Sequence, residues 1–216
     1  MRKYILWSAW LGVLLVFPVA DLKADIVGEW DADDFTGTAT WPGTADAALR
    51  EGAPVSGIDD DSFPGSRLHY VTFGPAETAF EVTAGANPIA GSMEFSASVV
   101  FRTTGTGANG ENDFWRNQGL VGIELPGGGV GDWGVGIANG GSINGGSALH
   151  NGDSGSLGPV VNDGAWHVVT MVVDDLGNAL HDRRIYLDGA EVATDLGLAY
   201  GGGNGNGGGF VQGVKH

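Results

Sequence analysis

Hydrophobic and polar residues alternate along much of this chain with a period of two. "MEFSASVVFRTT" puts Met93, Phe95, Ala97, Val99 and Phe101 on one face, and Glu94, Ser96, Ser98 and Arg102 on the other. That is the pattern of a strand with one buried face. "DWGVGIA" sets Trp133, Val135 and Ile137 against Gly134 and Gly136 in the same way. Glycines at alternate strand positions leave room for a close neighbour, either the side chains of a second sheet or a ligand. "RIYLDGAEVAT" predicts a hairpin, because Asp188-Gly189 can take the positive φ angles of a two-residue turn.

"VNDGAWHVVTMVVDD" joins the turn residues Asn162-Asp163-Gly164 to an apolar run. Trp166, Val168, Thr170 and Val172 share one face; His167, Val169, Met171 and Val173 share the other. Both faces are mostly apolar, which predicts a central strand covered on both sides. His167 stands at its entry, where an imidazole is expected to hydrogen-bond loop backbone and cap the sheet.

Helical periodicity is missing beyond the N-terminal apolar segment, and "GTADAALREG" allows one short helical turn at most. Short strands separated by Gly, Asn and Asp argue for an all-β chain, a two-sheet antiparallel β-sandwich or jelly roll. The 40 glycines among 216 residues fit many tight turns. No internal repeat is visible. "GGGNGNGGG", residues 201–209, is low-complexity and reads as a loop or tail.

The first 24 residues have the layout of a secretory signal peptide. Arg2 and Lys3 precede an apolar run from Tyr4 to Val19, and small residues follow at Ala20 and Ala24. A membrane anchor is the rival reading; Pro18 and the small residues favour cleavage, after Ala24. The expected domain then spans 25–200, with a Gly-rich tail at 201–216. Losing Arg2, Lys3, Lys23 and Asp21 takes the net charge from −16 to −18. Such a surface repels phosphate backbones, so nucleic acid is not expected as a partner. Without cysteines, an exported chain must rest on its own core, and about 190 residues suffice for one.

Three segments together resemble a known family: "NQGLVGIELPGGGVGDWGVGIANGGSI", "NDGAWHVVTMVVDD" and "RRIYLDGAEVAT". They are similar to the laminin-G-like, concanavalin A-like jelly-roll domains of bacterial exported proteins. Asp163, Gly164, Trp166 and His167 match that family's Asp-Gly-x-Trp-His element. Tyr186, Asp188 and Gly189 match its Tyr-x-Asp-Gly hairpin. The start, "IVGEWDADDFTG", is also similar to the first strand and loop of such domains. The likeness covers about residues 26 to 195 and is strongest from 93 to 194. The departure is C-terminal: where the family adds a completing strand, only "GFVQGVKH" follows the glycine run, so the last strand is expected to be very short or missing.

Three stretches and the acidic clusters could carry chemistry. "EWDAD" gives Glu29, Asp31 and Asp33 the alternation of the Glu-x-Asp-x-(x)-Glu strand of laminarinase-type glucanases, which share the fold. One-face spacing of about 6–7 Å would suit a nucleophile and a general acid. Here the third acid is Asp and the stretch lies on the first strand, so a strand end entering an acidic loop is expected instead. "NGDSGS" holds Gly-Asp-Ser-Gly, but His69 and His150 lack the sequence context that a trypsin-like triad needs around its histidine. "GGNGNGGGF" is one imperfect copy of a repeat that binds calcium only in tandem. Calcium itself stays an expected cofactor, since laminin-G-like domains often hold one at the sandwich rim. Asp31, Asp33 and Asp34, Asp59 to Asp61, and Asp174 and Asp175 are the acidic clusters available, and none has diagnostic spacing.

For a ligand, the candidates are Trp115 in the polar "NDFWRNQG", Asp132 beside Trp133 at a strand start, and Asn139 and Asn144 in the Gly-rich turns that follow. Trp133 itself alternates with Val135 and Ile137 and is expected in the core. The chain is therefore expected to be a secreted or cell-surface recognition module, binding a glycan or an extracellular protein without catalysis. The alternatives are a laminarinase-type glycoside hydrolase using Glu29 and Asp31, and a structural spacer of a cell-envelope protein.

Overall fold

The computed structural model describes residues 40–41, 43, 47–51, 55–58, 69–72, 79–82, 88–89, 92, 94–107, 118–124, 133–147, 156–177, 180–199 and 209–212. In chain order the strands begin with β1 (Thr40–Trp41), β2 (Ala47–Glu51), β3 (Val55–Ile58), β4 (His69–Thr72) and β5 (Ala79–Val82). Then come β6 (Phe95–Arg102), β7 (Gln118–Glu124), β8 (Trp133–Ile137), β9 (Ser142–Ser147) and β10 (Ser156–Val160). The last are β11 (Trp166–Gly177), β12 (Leu180–Leu187), β13 (Ala190–Ala199) and β14 (Gly209–Gln212). One 3-10 turn, Asn139–Gly141, links β8 to β9, and no α-helix occurs among the described residues.

The chain is an all-β, two-sheet antiparallel sandwich. The large sheet runs β1-β2-β5-β14-β7-β8-β9-β10, the small one β13-β12-β11-β6, and β3 pairs with β4 alone. Alternation decides which side chains meet between the sheets. From the small sheet come Phe95, Val99, Phe101, Val169, Met171, Val173, Ile185 and Leu187; the large sheet answers with Val121, Trp133, Val135, Ile137 and Ile143. The Phe95 and Trp133 rings pack with centroids 4.8 Å apart, locking one sheet to the other.

Three sequence expectations change here. The segment expected to manage only a helical turn is strand β2, "AALRE", paired with β1 and β5. Ala and Leu there are good helix formers, but sheet pairing overrides so weak a local preference. β11 is central, yet it is covered on one side only: Val169, Met171 and Val173 are buried, while Thr170 and Val172 stay partly exposed. The outer side is polar through its neighbours, with the Ser98 and Thr170 hydroxyls 2.8 Å apart and Arg184 bonded to Asp174 and Asp182. Finally, "GFVQ" after the glycine run is β14, seated between β5 and β7 in the interior of the large sheet. The place where a missing strand was expected is filled.

One end of the sandwich is stitched by turns. Gly141 N–H donates to Thr106 O at 3.1 Å, Val161 N–H to Gly141 O at 2.8 Å, and Gly164 N–H to Thr103 O at 3.1 Å. The turn at Gly141 therefore touches both the segment leaving β6 and the segment entering β11. At Gly107, with φ of 73°, an added Cβ would overlap the Ala138 carbonyl, so the chain can pass this close only as glycine.

Candidate functional site

Strand register builds a floor almost free of side chains on the side of the large sheet away from the core. Val135 faces the core and pairs with Val121 and Gly145; Gly134, one residue back, faces the other way and pairs with Gly122 and Gly146. Gly122 in turn pairs with Val211, Val211 with Glu81, and Glu81 with Ala48. One row across the sheet thus reads Ala48, Glu81, Val211, Gly122, Gly134, Gly146. The next row holds Gly119, Gly136 and Asn144. Successive strands lie about 4.8 Å apart; Gly122 and Gly134 are partly exposed and leave a strip of bare backbone about one strand spacing wide, while Gly146, Gly136 and Asn144 beside it are buried.

Acidic positions fall beside this floor. Glu51 pairs with Ala79, two residues from Glu81, which makes the two glutamates diagonal neighbours in backbone register on adjacent strands. Diagonal neighbours in an antiparallel pair are about 7–8 Å apart. Glu124, opposite Gly209 in register, is two residues from Gly122 along β7. The sequence reading did not single out these three. Glu81 lies between Phe80 and Val82 in an alternating "AFEV", and this was the available signal; the partner on another strand had none.

The expected site residues scatter. Trp115 and Asp132 lie outside the described residues, as do Glu29, Asp31 and Asp33 of the expected carboxylate strand and the acidic clusters at 31–34 and 59–61. Asn139 opens the 3-10 turn. Asn144 is not in a turn: it is a residue of β9, on the glycine floor opposite Gly136, and fully buried. It therefore offers no exposed amide, a correction to its expected place. The glycines around it are strand residues too, because β8 and β9 are held by pairing with their neighbours and by the buried side chains that alternate with the glycines, not by glycine's own preference. Trp133 is in the core, as alternation indicated. Of the acidic pair at 174 and 175, Asp174 is ion-paired with Arg184. No group of three or more potential metal-ligating residues converges among the described residues.

His167 has a definite arrangement. Its Nδ1 lies 2.8 Å from Asp188 Oδ2 and its Nε2 lies 3.2 Å from Asp163 Oδ1. Asp188 Oδ1 accepts the Val168 N–H and Asp163 Oδ1 the Ala165 N–H, each at 2.8 Å. Burial disfavours the charged ring, but its hydrogen bonds to Asp188 and Asp163 and the charges of those carboxylates outweigh it, and the His167 pKa is raised above its ordinary value. Both carboxylates are held below the usual range: Asp163 by the Ala165 amide and His167, and Asp188, whose burial is the largest single influence and opposes this, by the Val168 amide and His167 together. With both nitrogens committed, the ring has no free position for a general base. It is a clip between two turns, and its partners are side-chain carboxylates, not the loop backbone expected from sequence.

No family model matches this chain, and no curated protein matches it. Among solved structures it is similar to an endo-β-1,4-glucuronan lyase from the fungus Trichoderma reesei, at 16% identity and a TM-score of 0.48 over 77% of each chain. At that identity the likeness concerns architecture alone. The protein on the other side of the match is nevertheless an enzyme, and the expectation of a non-catalytic recognition module is withdrawn as a correction on that finding.

Proposed function

We propose that this chain is a carbohydrate-active enzyme of jelly-roll architecture that cleaves a polysaccharide laid across the glycine floor of its large sheet. The observation that carries the reading is the row Glu81, Val211, Gly122, Gly134, Gly146, with Glu51 diagonal to Glu81. A pyranose ring needs a flat, open backbone surface to lie on, and cleavage of its glycosidic bond needs carboxyl groups beside it. Glycoside hydrolases hold two such groups roughly 5 to 9.5 Å apart, one as acid and one as nucleophile or base. Glu51 and Glu81 are the pair whose register falls in that range.

Charge favours a neutral glycan. A chain of net charge −16 repels a polyuronate unless basic residues line the floor, and the floor positions named above are glycine, glutamate, asparagine and apolar residues. The secretory leader expected at residues 1–24 would deliver the enzyme to extracellular polysaccharide. The Trp166-His167 and Asp188-Gly189 elements support a laminin-G-like variant of the jelly roll, with calcium at its rim as that resemblance implies.

The test is incubation of the chain with a panel of neutral β-glucans and polyuronates, following both new reducing ends and new unsaturated ends. Reducing ends from a neutral glucan, lost in Glu51→Gln and Glu81→Gln by a factor on the order of 10² or more, are the expected result. Unsaturated ends from a polyuronate would replace hydrolysis by elimination. Full activity in both variants, or no product from any polymer, would overturn the assignment.

A further inference from the structure

The chain contains two Asp-Gly bonds, Asp163-Gly164 and Asp188-Gly189, and no others. The two aspartates are the two partners of His167, one on each ring nitrogen. Asp-Gly is the sequence most prone to spontaneous isomerisation, because glycine leaves its amide nitrogen unhindered. That nitrogen attacks the aspartate Cγ, forming a C–N bond. The amide proton and the carboxyl OH depart together as water and leave a five-membered imide. Water then opens the imide at either carbonyl, giving back aspartate or leaving isoaspartate, with the backbone rerouted through the side chain. No oxidant or other reagent is needed.

We propose that His167 guards both Asp-Gly bonds of this protein against conversion to isoaspartate. The geometry does this in two ways. Each carboxylate is tied at one oxygen by a neighbouring backbone amide, Ala165 N–H for Asp163 and Val168 N–H for Asp188, and is also tied to the ring. Asp188 is held at both oxygens and Asp163 by two partners on Oδ1, and a carboxyl so held must break these contacts before its carbon can swing onto the following glycine nitrogen. The imide also forms from the neutral acid, since hydroxide is a poor leaving group, and the clip keeps both groups ionised. Both turns need this protection because they are exposed: the side chains of Asp163 and Asp188 are 61% and 50% accessible. An isoaspartate at 188 would add a backbone atom inside the β12–β13 turn, where Asp188 N–H donates to Val168 O and both turn residues hold positive φ. The two-residue hairpin register cannot absorb that atom.

Wild type and His167→Gln are aged as folded, full-length chains at mildly acidic pH, well below melting, then digested and mapped by mass spectrometry with isoaspartate detection. The chain aged in denaturant gives the unprotected rate, and a core variant, Ile185→Val or Ile185→Ala, matched to His167→Gln in melting temperature, controls for general loosening. Wild type is expected to isomerise several-fold more slowly than the denatured chain at both sites. His167→Gln should recover most of that difference at both, and the core variant little of it. Equal rates in folded and denatured wild type, or equal acceleration in the two variants, would overturn the proposal.

Discussion

His167 holds a charge between two charges, and this makes its contribution to stability depend on pH in a definite direction. Its folded pKa lies above the ordinary value of 6.5, so the clip's stabilisation is complete below that value and is lost as pH rises through the folded pKa. The aspartates have folded pKa values below their ordinary 3.8, so their share is present above that value and lost as pH falls through the folded pKa. The clip is therefore strongest in mild acid. Melting temperature should fall by a few degrees between about pH 5 and about pH 9, and His167→Ala should lose about 1–2 kcal/mol at the lower pH while flattening this part of the profile. A variant whose profile keeps the wild-type slope would exclude the clip as its source. Sequence made the two Asp-Gly turns and the Trp-His pair legible. It did not show that a residue four positions before His167 and another twenty-one after it share one ring, because that depends on the β11–β12 pairing register.

At the scale of elements, the two sheets are fitted where one strand lacks a side chain. A Cβ added at Gly145 on β9 would meet the Cδ1 end of Ile185 on β12, so a large residue on one sheet fills the space that glycine leaves on the other. Gly145→Ala should cost about 1–3 kcal/mol by overpacking, and Ile185→Val about 0.5–1.5 kcal/mol by leaving a cavity. Together they should cost clearly less than their sum, since the lost methyl makes room for the gained one. Urea unfolding of the four proteins in the cycle measures this, and strict additivity would show that the two positions do not touch. "DWGVGIA" announced a close approach through its alternate glycines, but Gly145 lies in a stretch, "SINGGS", whose composition reads as turn. Glycine and asparagine carry no strand preference of their own; β9 is a strand because β8 and β10 flank it.

For the whole molecule, the decisive element is the four-residue β14. It joins β5, and through it β1 and β2, to β7 and the rest of the large sheet. A chain ending at Gly208 should lose both ladders at once and fail to unfold cooperatively in calorimetry, whereas trimming only residues 213–216 should leave a sharp transition. A cooperative transition without β14 would mean that the two halves of the sheet stand independently. The sequence alone determined the class of fold and the identity of the core faces, because period-two alternation obliges Phe95, Val99, Trp133, Val135, Val169 and Met171 to face one way whatever they face. It also determined the hairpin at Asp188-Gly189, whose geometry is a local matter of positive φ. Tertiary structure decided the rest: which strands are neighbours, that a strand beyond a glycine run returns to the middle of a sheet, and that Glu81, Gly122, Gly134 and Gly146 fall in one row across it. Gly145, beside Gly146, turns to the core; such placements follow from pairings between residues distant in the chain, and period-two alternation carries no record of partner or register.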